Sequence, residues 1–285
     1  MVAETDRSAG GDWAAGGGWS NVARQRAHMP EGTSAILDTR SLGTGNRRLA
    51  ALLRPGLSVL DVGCGTGAIT RGIAEAVGHQ GRVVGVDVNA SMIEKARAAH
   101  GGVPGLSFEV ADVHTLPSGG AFDIVAAARV LQWLADPAAA LRAMTAAARH
   151  RGRVVVLDYN HEKAAWTPQP PISMRRFYAA FLQWRAAAGM DNAIADHLRD
   201  LFAGVGLGDI VASDQHEVSQ RADPDFEMRA GIWAAVAATR GRQMVADGAI
   251  GERERDAAEA DYRAWLCDSA ESHVQYLLAV EGVRT

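Results

Sequence analysis

The segment Val59–Ala68 constrains the fold of this chain more than any other part of the sequence. A strand-like run contains Asp61 near its end, and Gly63, Gly65 and Gly67 follow before a helical pattern begins. Glycine lacks a Cβ atom, so the backbone can turn tightly here and a ligand can approach it closely. The following helix would present free N–H groups and a partial positive charge. The segment therefore predicts a cradle for a nucleoside-like cofactor.

The glycine spacing alone fits two classes of cofactor. Gly63, Gly65 and Ala68 satisfy the relaxed fingerprint of nicotinamide and flavin enzymes, which hold a pyrophosphate at the helix N-terminus. Asp61 stands where dinucleotide folds usually keep an apolar residue. A cofactor without phosphates but with a cationic amino-acid tail would use a carboxylate there, directly or through water. Asp61 therefore favours the second class, and a dinucleotide-dependent oxidoreductase stays as the alternative.

Strand and helix patterns alternate from Pro55 to about residue 160. Continuously apolar runs such as Val154–Leu157 are typical of parallel strands covered on both faces. We therefore expect an α/β fold with a doubly wound, Rossmann-like sheet of seven strands. The predicted strands are 58–62, 82–87, 106–110, 122–127, 153–157, 208–217 and 274–283.

Three regions are expected along the chain. Residues 1–54 are predicted to form N-terminal lid helices, and residues 55–160 the cofactor-binding core. Residues 161–285 are predicted to hold substrate-side helices, a helical insertion and the last two strands. The helical block at about 225–267 would form a lid or a subunit interface, so a homodimer is an alternative to a monomer.

Composition argues against several classes of function. The net charge of −4 is unlike that of a general nucleic-acid binder, which needs a basic face. No run is long and apolar enough to cross a bilayer, and Glu4 and Asp6 make the N-terminus unlike a secretory signal. Cys64 and Cys267 provide no disulfide framework. We therefore expect a cytoplasmic protein without nucleic-acid or membrane partners.

Two further acids follow the second and third predicted strands. Asp87 ends the second strand, where a carboxylate in a doubly wound fold reaches the ribose hydroxyls of a nucleoside. Asp112 follows the third strand, where it can accept a hydrogen bond from an adenine amine while the backbone of Val113 meets a ring nitrogen. With Asp61, these acids would lie at three successive strand ends on one edge of the sheet.

Residues 55–160 therefore resemble the core of a class I S-adenosylmethionine-dependent methyltransferase, in the broad group that includes the ubiquinone/menaquinone C-methyltransferases. The resemblance rests on the glycine turn and the three acids, and it extends to the runs 122–125, 131–134 and 152–154. It implies S-adenosyl-L-methionine as the cofactor and a strand order of three, two, one, four, five, seven, six, with the last strand antiparallel. The cofactor-binding residues that it implies are Asp61, Gly63, Gly65, Asp87, Val88, Asp112 and Val113.

Candidate catalytic residues follow the fifth predicted strand. His161 is the candidate general base, with Tyr159 and Glu162 as orienting residues. The alternative is that His161 only binds a loop backbone. Arg129, at the end of the fourth strand, is a candidate for binding a cofactor or substrate carboxylate, with a surface salt bridge as the alternative. The histidines show no metal-ligand spacing, so no metal site is expected.

The aromatic residues near these strands suggest a planar acceptor. Trp13, Trp19, Trp133 and Trp166 are predicted to line a substrate pocket that shields a sulfonium through cation–π attraction. The expected reaction is methyl transfer to a small organic molecule, such as a secondary metabolite or a quinone-like ring. The alternatives are an NAD(P)-dependent oxidoreductase and a catalytically inactive, cofactor-binding regulatory protein.

Overall fold

The computed structural model describes residues 21–30 and 40–285. Trp13, Trp19 and most of the expected N-terminal lid lie outside these residues. Among the described residues, three helices precede the sheet: α1 (Asn21–Ala27), α2 (Leu42–Gly45) and α3 (Arg47–Leu52). The strands are β1 (Ser58–Val62), β2 (Arg82–Asp87), β3 (Leu106–Val110), β4 (Phe122–Ala128), β5 (Ala148–Thr167), β6 (Leu207–Asp214), β7 (Glu217–Gln220) and β8 (Ser272–Arg284). The remaining helices are α4 (Ala68–Val77), α5 (Ala90–His100), α6 (Pro137–Ala147), α7 (Ile172–Ala186), α8 (Ile194–Gly204), α9 (Phe226–Ala230), α10 (Ile232–Ala246) and α11 (Glu252–Asp268).

The central sheet has the order β3-β2-β1-β4-β5-β8-β6. Strands β1 to β5 pair in parallel, and β8 runs antiparallel to both β5 and β6. The chain reverses its winding between β1 and β4, and ligands of open α/β sheets bind outside the strand ends at such a point. The doubly wound, Rossmann-like fold and the expected strand order are confirmed.

The sheet has eight strands among the described residues, and the expected number of seven is wrong. The expected strand 208–217 ends at Asp214, and a separate strand β7 begins at Glu217. Both β6 and β7 pair with β8, because β8 continues well beyond the edge of the parallel sheet. At the break, Nδ1 of His216 lies 2.9 Å from the carbonyl oxygen of Leu277 on β8. The single predicted strand is therefore two separate strands, and both pair with β8.

Strand β5 is much longer than the predicted segment 153–157. Only its part up to Leu157 pairs with β4, whereas its pairing with β8 continues to the pair Thr167–Ser272. A bulge interrupts this pairing between Asn160 and Ala165. The β5–β8 ribbon thus leaves the sheet and carries Tyr159 and His161 away from the layered core.

Two hydrophobic layers cover the sheet, one on each face. Alternate strand residues point to opposite faces, which separates two sets of buried side chains. One set includes Leu60, Val84, Val125 and Val154 and packs against α6 and α8. The other includes Val59, Val83, Ile124 and Val155 and packs against α4 and α5.

A third hydrophobic cluster lies in the helices beyond the ribbon. Helices α7, α9, α10 and α11 share it, and its large members include Phe177, Phe181, Trp184, Trp233 and Tyr262. Helices α9 to α11 form the helical insertion expected between the last strands. Arg240 of α10 donates hydrogen bonds to the carbonyl oxygens of Arg26 and His28, each at 2.6 Å, so α10 holds the C-terminal end of α1. In the described part of the chain, no helix has an apolar stretch long enough to span a bilayer.

Glu281 of β8 connects α3 to the sheet through buried, charge-assisted hydrogen bonds. Its carboxylate accepts from Arg48 Nε at 2.7 Å and Nη2 at 2.9 Å, and from Arg153 Nη1 at 2.9 Å. Only 2% of Glu281 is exposed. Because an amide at this position would carry no charge, we predict that Glu281→Gln lowers the free energy of unfolding by about 1–3 kcal/mol in urea titrations.

A matched control is Glu75→Gln, which removes an i,i+4 ion pair with Arg71 on α4. Both of those side chains are more than half exposed. Such pairs contribute about 0.5 kcal/mol or less. Equal losses in the two variants would contradict a structural role for the buried Glu281 carboxylate.

Candidate active site

A single continuous cavity lies at the carboxyl ends of β1, β2, β4 and β5. Its volume is about 760 Å³, within the range of roughly 300–1,000 Å³ typical of small-molecule sites. The glycine turn after β1 forms one end, and residues of α1, α7 and α10 close the other. The cavity therefore joins the sheet edge to the helical cluster.

The glycine turn adopts backbone conformations that residues with a Cβ rarely reach. The φ angles of Gly63, Gly65 and Gly67 are +71°, +54° and +80°. A Cβ on Gly63 would lie 2.3 Å from Cγ2 of Val130, which follows β4. The turn therefore needs glycine for both its conformation and its packing, and it leaves the backbone open to the cavity.

Asp61 lies at the floor of the cavity beneath this turn. Its carboxylate accepts a hydrogen bond from Thr70 Oγ1 of α4 at 2.7 Å. The pKa of Asp61 is raised to about 6, chiefly by burial. The hydrogen bond from Thr70 lowers this pKa, and the charge of Asp87 raises it. A buried carboxylate with a raised pKa favours a cationic group beside it.

Asp87 ends β2 on the same side of the cavity. One carboxylate oxygen accepts from the backbone N–H of Gly65 at 2.9 Å and the other from that of Asn89 at 2.9 Å. Burial raises the pKa of this carboxyl, and these backbone N–H groups oppose the rise. The next residue, Val88, lines the cavity and is half exposed. A carboxylate has about four lone-pair sites, so Asp87 can also accept from a hydroxyl of a ligand.

Asp112 follows β3, but its carboxylate already contacts protein donors. Oδ2 accepts from Arg24 of α1 at 3.0 Å, and Oδ1 lies 2.9 Å from Nδ1 of His114. Its neighbours Ala111 and Val113 line the cavity. The three acids therefore lie at or just after the ends of β1, β2 and β3, and α1 makes a direct contact with the third.

Arg129 has three protein partners at the cavity wall. Its guanidinium donates to the hydroxyl of Tyr159 at 2.8 Å, to the carbonyl oxygen of Gly45 at 3.0 Å and to the carboxylate of Glu217. Its backbone has a φ of +63°, in the left-handed region. Arg129 thus forms a salt bridge with Glu217, but its own side chain is buried and not on the surface. This side chain joins α2, β5 and β7.

Arg40 is a cavity residue that the sequence did not reveal. It lines the same wall as Arg129, and among residues 21–30 and 40–285 its side chain has no hydrogen-bond or ion-pair partner. Burial and then the charge of Arg129 lower its pKa. The Cβ atom of Arg40 lies near Gly45 of α2. Gly45 also lies beside Ile69 in the first turn of α4. Arg40 therefore presents a cation without a hydrogen-bond partner among the described residues, although the charges of Tyr159 and Glu217 partly oppose the lowering of its pKa.

His161 lines the opposite half of the cavity. Its Nε2 lies 2.7 Å from Oε1 of Gln132, and its ring stacks on Tyr159 at a centroid distance of 5.1 Å. Burial, and next the charge of Arg185, lower the pKa of His161 well below its ordinary 6.5. His161 is therefore neutral at pH 7, and Tyr159 lies beside it.

Two other predicted residues lie outside the cavity lining. Glu162 is exposed, because adjacent strand residues point to opposite sides and His161 takes the inner one. Trp166 packs in the helical cluster, where its ring stacks on His273 at 5.2 Å and its Nε1 donates to Tyr262 at 3.1 Å. Trp133 does line the cavity, as predicted.

Several cavity residues come from segments with weak sequence signals. Phe181 and Trp233 form aromatic walls, and Arg240 also lines the cavity, 4.2 Å from the ring of Trp133. Arg185 lies outside the lining, fully buried and 4.7 Å from the same ring. Phe181 belongs both to the core of the helical cluster and to the cavity lining. The one available signal was Arg185 at an i,i+4 spacing from Phe181, which places a charge on the apolar face of α7. Among the described residues, no group of three or more acidic, histidine or cysteine side chains is arranged to hold a metal ion.

A family model described as a methyltransferase domain matches residues 53–198, just over half of the chain. The chain belongs to the class I S-adenosylmethionine-dependent methyltransferase family. The matched segment contains the glycine turn, Asp61, Asp87, Asp112 and His161. The cofactor of this family is S-adenosylmethionine.

Curated relatives match over shorter segments. The chain is 43% identical over 104 residues to an uncharacterized 37.1 kDa protein in transposon TN4556 of Streptomyces fradiae, covering 36% of this chain and 30% of that protein. It is 38% identical over 112 residues to a ubiquinone/menaquinone biosynthesis C-methyltransferase of Hahella chejuensis, covering 38% of this chain and 45% of that protein. The aligned segments thus span less than half the length of either relative.

Solved structures share the fold at low sequence identity. Phosphoethanolamine N-methyltransferase 2 of Haemonchus contortus, in complex with phosphomonomethylethanolamine and S-adenosylhomocysteine, has a TM-score of 0.52 and 15% identity, covering 90% of this chain and 53% of that chain. The [4+2]-cyclase SpnF has a TM-score of 0.51 and 19% identity, covering 86% of this chain and 84% of that chain. Because an N-methyltransferase and a cyclase share the fold, the fold does not specify the reaction.

The cavity residues fit S-adenosylmethionine better than a dinucleotide. The open glycine turn accepts close approach of a ligand, and the buried carboxylate of Asp61 suits a cationic tail. The same carboxylate would repel a pyrophosphate lying on the turn.

We predict that affinity for S-adenosylhomocysteine decreases as the pH falls through about 6. The cationic amine of the ligand favours ionised Asp61, so protons compete with the ligand below the pKa of the free protein, which is about 6. The decrease approaches at most about tenfold per pH unit for one proton. Calorimetry between pH 5 and 7.5 measures it.

Asp61→Asn is the matched control for this titration. The amide oxygen can still accept from Thr70, but the side chain has no charge. This variant should bind more weakly at pH 7.5 and lose less affinity on acidification. A wild-type affinity that does not change over this range would contradict an electrostatic role for Asp61.

Proposed function

We propose that this protein transfers the methyl group of S-adenosyl-L-methionine to a small organic acceptor. The observation that carries the proposal is the division of one cavity into two chemically different halves. One half has the glycine turn with the carboxylates of Asp61 and Asp87, and the other has aromatic walls around neutral His161. A nucleoside cofactor suits the first half and a planar acceptor suits the second.

In the cofactor half of the cavity, we assign a separate contact to each part of the ligand. Asp61 would bind the ammonium group of the amino-acid tail, and Asp87 the ribose hydroxyls. Val88 and Val113 would lie against the adenine, with Asp112 accepting from its amine in competition with Arg24. The backbone of Gly63 and Gly65 would lie against the tail and the ribose.

Arg40 would bind the carboxylate of the amino-acid tail. It is the cation near the start of α4 that has no partner among the described residues, and a carboxylate supplies the charge and the acceptors that a guanidinium needs. Arg129 has three protein partners, so we assign it to holding Tyr159 and the cavity wall. This assignment replaces direct ligand binding by Arg129.

Bound S-adenosylmethionine supplies a methyl group that its sulfonium charge already activates. The residues of the protein then align the acceptor, and alignment of this kind can supply roughly 7–11 kcal/mol of barrier reduction in the best cases. The faces of Trp133, Phe181 and Trp233 would hold a planar acceptor and exclude water. His161 would act as the general base, oriented by its contact with Tyr159.

The acceptor is proposed to be a secondary metabolite or a quinone-like ring. The aromatic walls and the partial similarity to ubiquinone/menaquinone C-methyltransferases support this class. The net charge of −4 supports a protein without nucleic-acid partners. We further propose a cytoplasmic location, no membrane partner and a homodimer formed through α9 to α11.

Direct binding measurements separate this proposal from its two alternatives. Calorimetry should detect S-adenosylhomocysteine but neither NADH nor NADPH, and Asp87→Ala should weaken binding by at least about a hundredfold because it removes charge-assisted hydrogen bonds. Asp268→Ala, at an exposed site in α11, is the control.

Incubation with methyl-labelled S-adenosylmethionine should label small phenols or quinols and leave bulk RNA and protein unlabelled. Tight binding without any labelled product would favour the inactive regulatory protein.

We predict that Arg40→Gln weakens S-adenosylhomocysteine binding by roughly tenfold to a hundredfold. A hydrogen bond to a charged group contributes about 1.5–3 kcal/mol, and about 1.4 kcal/mol corresponds to a tenfold change. The same variant should bind 5′-methylthioadenosine as the wild type does, because that ligand has no amino-acid tail. Equal losses for both ligands would show that Arg40 supports the cavity wall and does not bind the carboxylate.

A further inference from the structure

The side chain of Gln132 lies between a buried arginine and the ring of His161. Arg185 Nη1 donates to Oε1 of Gln132 at 3.1 Å, and His161 Nε2 lies 2.7 Å from the same oxygen. A guanidinium has only donors, so the amide oxygen of Gln132 must face it. The amide nitrogen then donates to the carbonyl oxygen of Arg129 at 3.2 Å. The orientation of the Gln132 amide is therefore determined.

The orientation of this amide determines the tautomer of His161. Because Oε1 of Gln132 is an acceptor, Nε2 of His161 carries the proton and Nδ1 carries the lone pair. Nδ1 has no hydrogen-bond partner among residues 21–30 and 40–285. Several unpartnered side-chain atoms of these residues are fully enclosed by protein, and Nδ1 of His161 is not one of them. Since His161 lines the cavity, Nδ1 is open to it.

Arg185 is held so that it cannot turn away from Gln132. It is fully buried, and its Nε donates to Oδ1 of Asn192 at 2.8 Å while Nη2 donates to the carbonyl oxygen of Gln132 at 2.9 Å. The carbonyl oxygen of Asn192 in turn accepts from the backbone N–H of His161 at 2.7 Å. Arg185 also lies over the ring of Trp133. Backbone and ring of His161 are thus positioned by one buried network.

We propose that Arg185 and Gln132 are positioning residues that hold His161 as the Nε2–H tautomer, so that Nδ1 accepts the proton of a methyl acceptor with an acidic hydroxyl group. This inference rests on the proposed methyl transfer and identifies the base atom and the acceptor class. The acceptor O–H bond breaks and its proton moves to Nδ1. The oxygen forms a bond to the methyl carbon, and the electron pair of the broken S–CH₃ bond stays on sulfur.

The environment of His161 limits which hydroxyl groups can react. Burial and the Arg185 cation lower the pKa of the ring, so it is a weak base that is neutral at pH 7. The pKa of a phenol is about 10, whereas that of an aliphatic alcohol, like that of bulk water, is much higher. A weak base can assist proton loss from the first group far better than from the second. Phenols and enols are therefore the acceptor class, and the aromatic walls suit their planar form.

Titratable and charged groups from several elements lie near His161. Tyr159 of β5 stacks on its ring, the hydroxyl of Tyr178 donates to its carbonyl oxygen, and the charge of Arg185 lowers its pKa. Arg129 and Arg240 line the same cavity, and Asp158 lies on β5 beside Tyr159. Asp158 has a pKa raised to about 6, chiefly by burial. A pH profile of the wild type alone would thus mix several titrations, so the tautomer itself must be measured.

Nitrogen NMR of the histidine rings measures the tautomer directly. Protein labelled with ¹⁵N-histidine and saturated with S-adenosylhomocysteine gives separate signals for protonated and unprotonated ring nitrogens, and His161→Gln identifies the pair from this residue. We expect a protonated Nε2 and an unprotonated Nδ1 at pH 7. In Gln132→Met the ring should lose this single tautomer. A protonated Nδ1 in the wild type would overturn the positioning role.

Kinetics with phenol and cyclohexanol test the acceptor class. Labelled methyl transfer should produce the ether of phenol and none from cyclohexanol. Gln132→Met should lower kcat for phenol by about tenfold to a hundredfold, a part of what a general base contributes, with little change in KM or in S-adenosylhomocysteine affinity. Methylation of cyclohexanol, or of neither alcohol, would overturn the acidic-hydroxyl class.

Variants of the arginine separate positioning from folding. Arg185→Met should lower kcat and broaden the His161 tautomer signals, and Arg185→Lys should restore part of both. The control is Arg255→Lys, which changes a buried arginine of α11 that pairs with Glu252 and Glu259. It should leave kcat and the His161 signals unchanged at similar stability. An equal loss of kcat in Arg185→Lys and Arg255→Lys would indicate a purely structural role. If S-adenosylhomocysteine does not bind at all, the proposed function fails independently of the tautomer.

Discussion

The backbone after β1 turns in a space that two neighbouring side chains restrict. A Cβ on Gly63 would lie 2.3 Å from Val130, and one on Gly67 would lie 2.6 Å from Phe108. Bulkier residues at these positions would push β3, β4 or the turn itself out of place. The same close approach brings the short turn Leu131–Trp133 next to the glycine turn. Gln132 and Trp133 therefore face the space beside the cofactor cradle, so one constraint positions both halves of the cavity.

Charge is distributed unevenly around the cavity. Asp61 and Asp87 lie at the glycine turn, and Arg40, Arg129 and Arg240 also line the cavity. A buried ion is stable only when other groups supply charge or hydrogen bonds. Arg129, Arg185 and Arg240 have such partners in carbonyl oxygens and side chains. Among the described residues Arg40 has no hydrogen-bond or ion-pair partner, and the charge of Glu217 acts on it only at longer range. Partnered arginines thus shape the site, and the unpartnered one is suited to a ligand.

Much of the core was predictable because its signals are local. The bounds of β1, β2 and β3 agree with the predicted ones, because short runs such as Val83–Val86 mark a strand from neighbouring residues alone. The length of β5 and the separate strand β7 were not predictable. Both depend on pairing with β8, which is more than 50 residues distant in sequence from β7 and still further from β5. Long-range pairing has no local pattern, so the expected seven strands became eight.

On the substrate side too, residues close to predicted strands could be identified from the sequence, and residues from distant segments could not. His161, Tyr159 and Trp133 were identified from their place after predicted strands, whereas Glu162 and Trp166 lie outside the cavity because the ribbon turns alternate side chains away from it. Arg40, Arg185 and Trp233 come from distant segments that carry no motif.

The sequence by itself determined the parallel core, the cofactor cradle and the carboxylates at the strand ends. A strand followed by glycines in required left-handed conformations can form few other structures. The tertiary structure alone decided the partners of these groups: that Arg24 reaches Asp112, that Arg129 binds Glu217, and that Arg185 orients Gln132 against His161. These contacts join residues 29 to 88 positions apart in sequence. They exist because the helical cluster and the β5–β8 ribbon fold back over the edge of the sheet.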